Sequence, residues 1–142
     1  MRAWPLWLAA LWWGGMSAMS FVVVPTLFIR LGPAVAGPVA AHLFSLQSSA
    51  VILMGLALLL WLRQQRRQLD AAAWTPLMAT MGGVLLAMLA AVLQEFAVAE
   101  RIVMARSTGG DLRLWHSLGS ALVFLQWLCG AWVLRRLLKT VF

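Results

Sequence analysis

The chain has 142 residues, 63% of them hydrophobic, and carries 11 Lys and Arg against 4 Asp and Glu. A composition this apolar, gathered into long blocks, excludes a soluble globular domain and points to an integral membrane protein. The net charge of +7 does not indicate nucleic acid, because the Arg clusters fall at the ends of the apolar blocks and leave no basic face.

A helix crossing the hydrocarbon needs about 20 largely uncharged residues. Blocks of that length run over 4–29, 38–62, 74–99 and 114–134. The expected fold is therefore all-α: residues 1–142 as one transmembrane domain, an antiparallel four-helix bundle in a lipid bilayer. Met1-Arg2 and the apolar run behind it resemble a signal peptide, but the run continues to Ile29, longer than a signal's apolar region, so it is read as a retained first span. The single cysteine, Cys129, has no intramolecular disulfide partner and reads as a small buried residue.

The first span opens at Trp4-Pro5, a helix start with an aromatic anchor. Gly14, Ala18 and Pro25 lie on one face with Ala10, Ser17 and Phe21, and small residues let a neighbouring helix approach closely in lipid. Pro25 has no N–H, which predicts a bend near Phe21. Leu31-Gly32-Pro33 ends the helix, and a short connection to Pro38 makes the second span an antiparallel neighbour. That span places His42, Ser45 and Ser49 on one face and ends in Arg63, Arg66 and Arg67, followed by a polar turn over 68–73 that contains Asp70.

The third span opens at Trp74-Thr75-Pro76. Its small face holds Gly83 and Ala87, with Gln94 at the centre of that face and Glu95 on the flank. The helical pattern runs on through Arg101 and Arg106 and stops at Gly109-Gly110. Asp111 is the expected N-cap of the fourth span. There, His116, Gly119 and Gly130 share a face with Ser120, Val123 and Trp127.

Both termini and the middle loop fall on one side with seven Lys and Arg, against Arg30, Arg101, Arg106 and Arg113 on the other. This asymmetry predicts cytoplasmic termini in a bacterial inner membrane. It also puts Arg30, His42, Gln94, Glu95, Glu100, Arg101 and His116 near the outer edge. His42 lies about 6 Å inside the second span at the helical rise. Ionisable groups within a span usually face the bundle interior, so convergence of His42, Gln94 and His116, with Glu95 nearby, is expected. His42, His116 and Glu95 form a candidate transition-metal set. Two His on separate helices are alternatively a candidate haem clamp, and an interhelical hydrogen-bond network that binds nothing is the structural alternative. Ser in a membrane helix usually bonds back to its own backbone, and no nucleophile motif or phosphate loop is present, so no catalytic residue is assigned.

The run Trp13-Gly14-Gly15, then 21–28 (FVVVPTLF), then Ala36-Gly37 and Leu43-Phe44 resembles a bacterial domain-of-unknown-function family related to eukaryotic transmembrane protein 205. More distantly, the four-helix plan and Trp-Gly-Gly are similar to copper-resistance protein D and to haem-pathway membrane proteins, which implies copper or haem as cofactors. Three functions follow. One is a non-enzymatic membrane protein acting through helix contacts, with a membrane-protein partner or a second copy, as an accessory or membrane-stress factor. Another is a metal or haem binder. The third is a component of a small transporter, which would need oligomers because four helices leave little room for an aqueous path.

Overall fold

The computed structural model describes residues 3–66 and 74–141, and every regular element among them is helical. The expected polar turn at 68–73 lies outside the described residues. The elements are α1 (Trp4–Ala18), a π-helical turn (Met19–Val23), α2 (Val24–Arg66), α3 (Trp74–Leu93), a second π-helical turn (Gln94–Ala99), α4 (Glu100–Thr108) and α5 (Leu112–Val141). Three continuous helical stretches are long and apolar enough to cross a membrane: Trp4–Arg66, Trp74–Thr108 and Leu112–Lys139.

The first stretch joins the two spans expected over 4–29 and 38–62. The expected connection before Pro38 is absent, because the break is confined to Gly32 at φ 70°, ψ 164°, and Pro33 and Pro38 both lie within helix. Glycine reaches that backbone region without strain. Proline at a helix start loses no hydrogen bond, so the helix resumes at once. The Trp4 and Trp61 rings lie 6.3 Å apart. In a straight helix 57 residues would separate them by about 85 Å, so the stretch doubles back on itself.

Pro25 also acts upstream. Its missing N–H breaks the regular ladder, and the turn before it is wound wide, with the Val24 N–H reaching five residues back to the Met19 carbonyl. The Thr26 hydroxyl donates to the Val22 carbonyl at 2.6 Å, the ordinary back-bond of a helical threonine to the carbonyl four residues earlier.

All neighbours run antiparallel. Gly83 of α3 faces Trp132 and Val133 of α5, while Gly119 of α5 faces Val98 and Gln94. Gly55 of α2 meets Val84 and Met88, and Ser45 meets Glu95. Gly130 of α5 faces Trp12 and Trp13 of α1. The core these pairs enclose includes Trp12, Met16, Val51, Leu58, Val84, Ala87, Val123 and Val133. Large apolar side chains are widely exposed on the outer surfaces, Trp7 at 72% and Ile29 at 82% among them, as suits helices long and apolar enough to cross a membrane.

The buried face of α1 corrects one expectation. Gly14, Ala18 and Pro25 are exposed, and a Cβ on Gly14 would meet nothing within 4 Å. The face turned inward carries Ala9, Trp12 and Met16. The indole N–H of Trp12 donates to the Met16 sulfur at 3.2 Å, which lets this tryptophan enter the core with its polar atom satisfied.

Helix ends follow their local chemistry. The helix through Thr108 stops at Gly109, φ 74°, whose N–H bonds the Ala105 carbonyl. The Asp111 carboxylate accepts from the Leu114 N–H at 3.0 Å, capping α5. The Arg66 guanidinium lies over the Trp74 ring at 4.7 Å and that of Arg136 over Trp132 at 4.8 Å.

Candidate functional site

Opposite the end marked by Trp4 and Trp61, the helices part around a cavity of about 750 Å³. Both π-helical turns contribute to its wall: Ser20 and Phe21 from the first, Gln94, Glu95 and Ala99 from the second. A π turn rotates the residues beyond it out of the regular register, a device frequent at functional sites. Here it sits where both helices must carry polar or aromatic side chains toward one space.

The wall is sorted by chemistry. Phe28, Phe44, Phe124 and Trp127 supply apolar faces. The Trp127 ring is held by three others: Trp13 at 5.7 Å, Phe21 edge-on at 5.8 Å and Phe124 stacked at 5.8 Å. Its indole N–H donates to Ser17 Oγ at 2.8 Å, and the Ser17 hydroxyl donates in turn to the Trp13 carbonyl at 2.8 Å. Trp127 therefore has a fixed orientation.

The polar side is centred on Ser45, Gln94 and Glu95. The Ser45 hydroxyl donates to Glu95 Oε1 at 2.7 Å, joining α2 to the second π turn across 50 residues of sequence. A hydrogen bond to a carboxylate is worth about 1.5–3 kcal/mol when both groups leave water together. Ser49 instead bonds back to the Ser45 carbonyl, as do most described hydroxyls with their own helix. Gln94 is 7% exposed, and its Oε1 has no hydrogen-bond partner. Ser20 Oγ is likewise buried without a partner. Two unsatisfied polar atoms on one cavity wall cost about 1–3 kcal/mol each unless something in the cavity meets them. Glu100, Arg106 and His116, all exposed, form the rim. The Arg106 guanidinium packs over the backbone of Gly37, 2.7 Å from where a Cβ would stand, so this glycine makes room for it.

Of the residues expected to converge, Gln94, Glu95 and His116 line this one cavity, and so does Glu100. His42 does not. The buried stripe of α2 runs through Ala40, Gln47, Val51 and Leu58, and His42 lies two residues past Ala40, about 200° around the helix, where it is exposed. Arg30 is exposed too, and Arg101 turns to the Trp115 ring at 5.6 Å. Among the described residues no three His, Cys, Asp or Glu side chains gather in a group able to hold a metal ion. The expected set of His42, His116 and Glu95 is thus not formed, for the rotational reason just given. Gly83, Ala87, Gly119 and Gly130 all lie against neighbouring helices.

Two buried glutamines escaped the sequence reading. Gln126 is 1% exposed with neither amide atom partnered, and Gln47 is 9% exposed with its Oε1 unpartnered. The signal was available: Gln126 stands seven residues after Gly119 and three after Val123, and Gln47 seven after Ala40, all on core stripes.

The family model described as a domain of unknown function (DUF4149) matches residues 7–111. The match takes in both π turns and the cavity wall from Ser20 to Arg106, leaving α5 outside. No curated protein and no solved structure matches the chain. With about three-quarters of its length covered by that model, the chain belongs to the family described as domain of unknown function (DUF4149).

Proposed function

We propose that this chain is a four-pass protein of the bacterial inner membrane, without catalytic machinery, whose working part is the cavity: a binding site for one small amphiphilic molecule. The observation that carries the reading is the sorted wall, aromatic on one side and with buried, unsatisfied polar atoms on the other. Ligand sites are typically about 300–1,000 Å³, mostly apolar, with a few placed polar groups. The four passes rest on Gly32, which divides the first stretch into two antiparallel arms. Cytoplasmic termini rest on the Lys and Arg asymmetry and on the gathering of Arg66, Arg136 and their tryptophans at one end. Kinship with transmembrane protein 205 belongs to the same proposal, carried by the motifs between Trp13 and Phe44.

Native mass spectrometry of the full chain released from lipid nanodiscs tests the site. The wild type should carry a small-molecule adduct that Ser120→Trp, which fills the cavity from its wall, removes. The same adducts on both proteins, or none on either, would overturn the assignment.

A second reading, an accessory subunit acting through helix contacts, is favoured by the outward face of α1. There a Cβ on Gly14 or Gly15 would meet nothing within 4 Å, and close helix approach in lipid depends on such residues.

A further inference from the structure

We infer that the occupant of the cavity is an organic cation: a protonated amine head on an apolar, aromatic-compatible body. This rests on the binding reading above and assigns it a chemical class.

The depth profile of the wall decides the sign of the charge. The deep groups that lack a donor are centred on Gln94 and Glu95, with the Ser20 hydroxyl able to donate or accept. Gln94 Oε1 is buried without a donor, and Glu95, half-buried, uses Oε1 for the Ser45 hydroxyl and keeps Oε2 for another donor. Turning the Gln94 amide over would not alter the carboxylate beside it. The guanidinium that would suit an anion, that of Arg106, sits at the exposed rim and is packed on Gly37, and the Ser20 hydroxyl deeper in the wall carries no charge. The lining holds two carboxylates, Glu95 and Glu100, against one guanidinium. An ammonium carries three donors and no acceptor, which matches Gln94 Oε1 and the free oxygen of Glu95. Phe28 and Phe44 line the same cavity, and an aromatic face attracts a cation. A carboxylate or phosphate in the same position would meet Glu95 across a low-dielectric space, where like charges repel strongly.

The test uses the full chain in zwitterionic nanodiscs, with Ser120→Cys as a reporter in a Cys129→Ala background. Ser120 lines the cavity and is exposed, so maleimide labelling of the new thiol reads occupancy. The probes are phenylhexylammonium, phenylhexanol and phenylhexanoate, alike except in the head. The ammonium should protect the thiol at concentrations at least tenfold below the other two. Glu95→Gln should erase that preference, and Gln94→Leu should weaken ammonium protection severalfold without making the alcohol the better ligand. Equal protection by all three probes, or strongest protection by the carboxylate, would overturn the cation while leaving the cavity as a binding site. No protection by any probe, with the reporter folded and labelled, would overturn both. If Glu95→Gln does not fold, the ranking of the probes on the reporter alone decides the matter.

Discussion

Two adjacent glycines in α3 provide a sharp test of helix packing. Gly82 faces open space, and a Cβ there meets nothing within 4 Å. A Cβ on Gly83 falls 2.6 Å from Cζ3 and 2.7 Å from Cε3 of Trp132, and 3.4 Å from Val133. Carbon atoms in contact rest at about 3.5–4.0 Å, so the Trp132 ring would have to retreat by about 1 Å. Gly82→Ala should stabilise the protein by about 1 kcal/mol, the helix-propensity difference between the two residues. Gly83→Ala has the same propensity gain. Against it stand an overpacking cost of about 1–3 kcal/mol and about 0.5–1 kcal/mol for disturbing the Arg136 guanidinium over Trp132. The two alanines should therefore differ by about 1.5–4 kcal/mol, with Gly83→Ala the less stable. Unfolding in mixed micelles with increasing SDS, followed by far-ultraviolet circular dichroism, measures both. In a Trp132→Ala background the obstacle is gone and Gly83→Ala should recover the behaviour of Gly82→Ala, a non-additivity expected only of residues in contact. Equal stability of the two single variants would refute the close approach of α3 and α5.

Further expectations follow from other positions. Gln126→Met keeps the volume and removes two unpartnered amide atoms, so it should stabilise the fold by about 1–3 kcal/mol in the same micelle assay; destabilisation would mean that the amide is satisfied in the native protein. Gly32→Ala should destabilise by about 1–3 kcal/mol although space around it is open, because the cost lies entirely in a backbone conformation that only glycine adopts freely; a neutral result would show that the reversal does not need this conformation. Cysteines at 45 and 95 in a Cys129→Ala chain should crosslink rapidly with short reagents, since their parents share a 2.7 Å hydrogen bond, whereas a 42–116 pair should not, given that His42 lies outside the cavity. For topology, reporters fused after Gln68 and after Thr108 should read cytoplasm and periplasm respectively, and the reverse would invert the proposed orientation.

What the sequence by itself determined was everything governed by local chemistry or by length. The apolar blocks give the helices, because an unpaired backbone cannot lie in hydrocarbon. Gly109 and Asp111 mark a stop and a start through their own backbone and side-chain bonds, and Pro25 announces an irregular turn by its missing N–H. The tertiary structure alone decided which way each helix faces. In a soluble helix the polar stripe marks the outside, but a helix apolar all round has no such stripe. Nothing in the pattern of α1 therefore says that Trp12 goes in and Gly14 stays out; of the face expected to pack, Ser17 and Phe21 meet Trp127, whereas Gly14, Ala18 and Pro25 are exposed. The same ambiguity set His42 outside a cavity that Gln94, Glu95 and His116 line. Rotation of a membrane helix is fixed by packing against its neighbours, and the Ser45–Glu95 bond exists only because α2 and the second π turn meet across 50 residues.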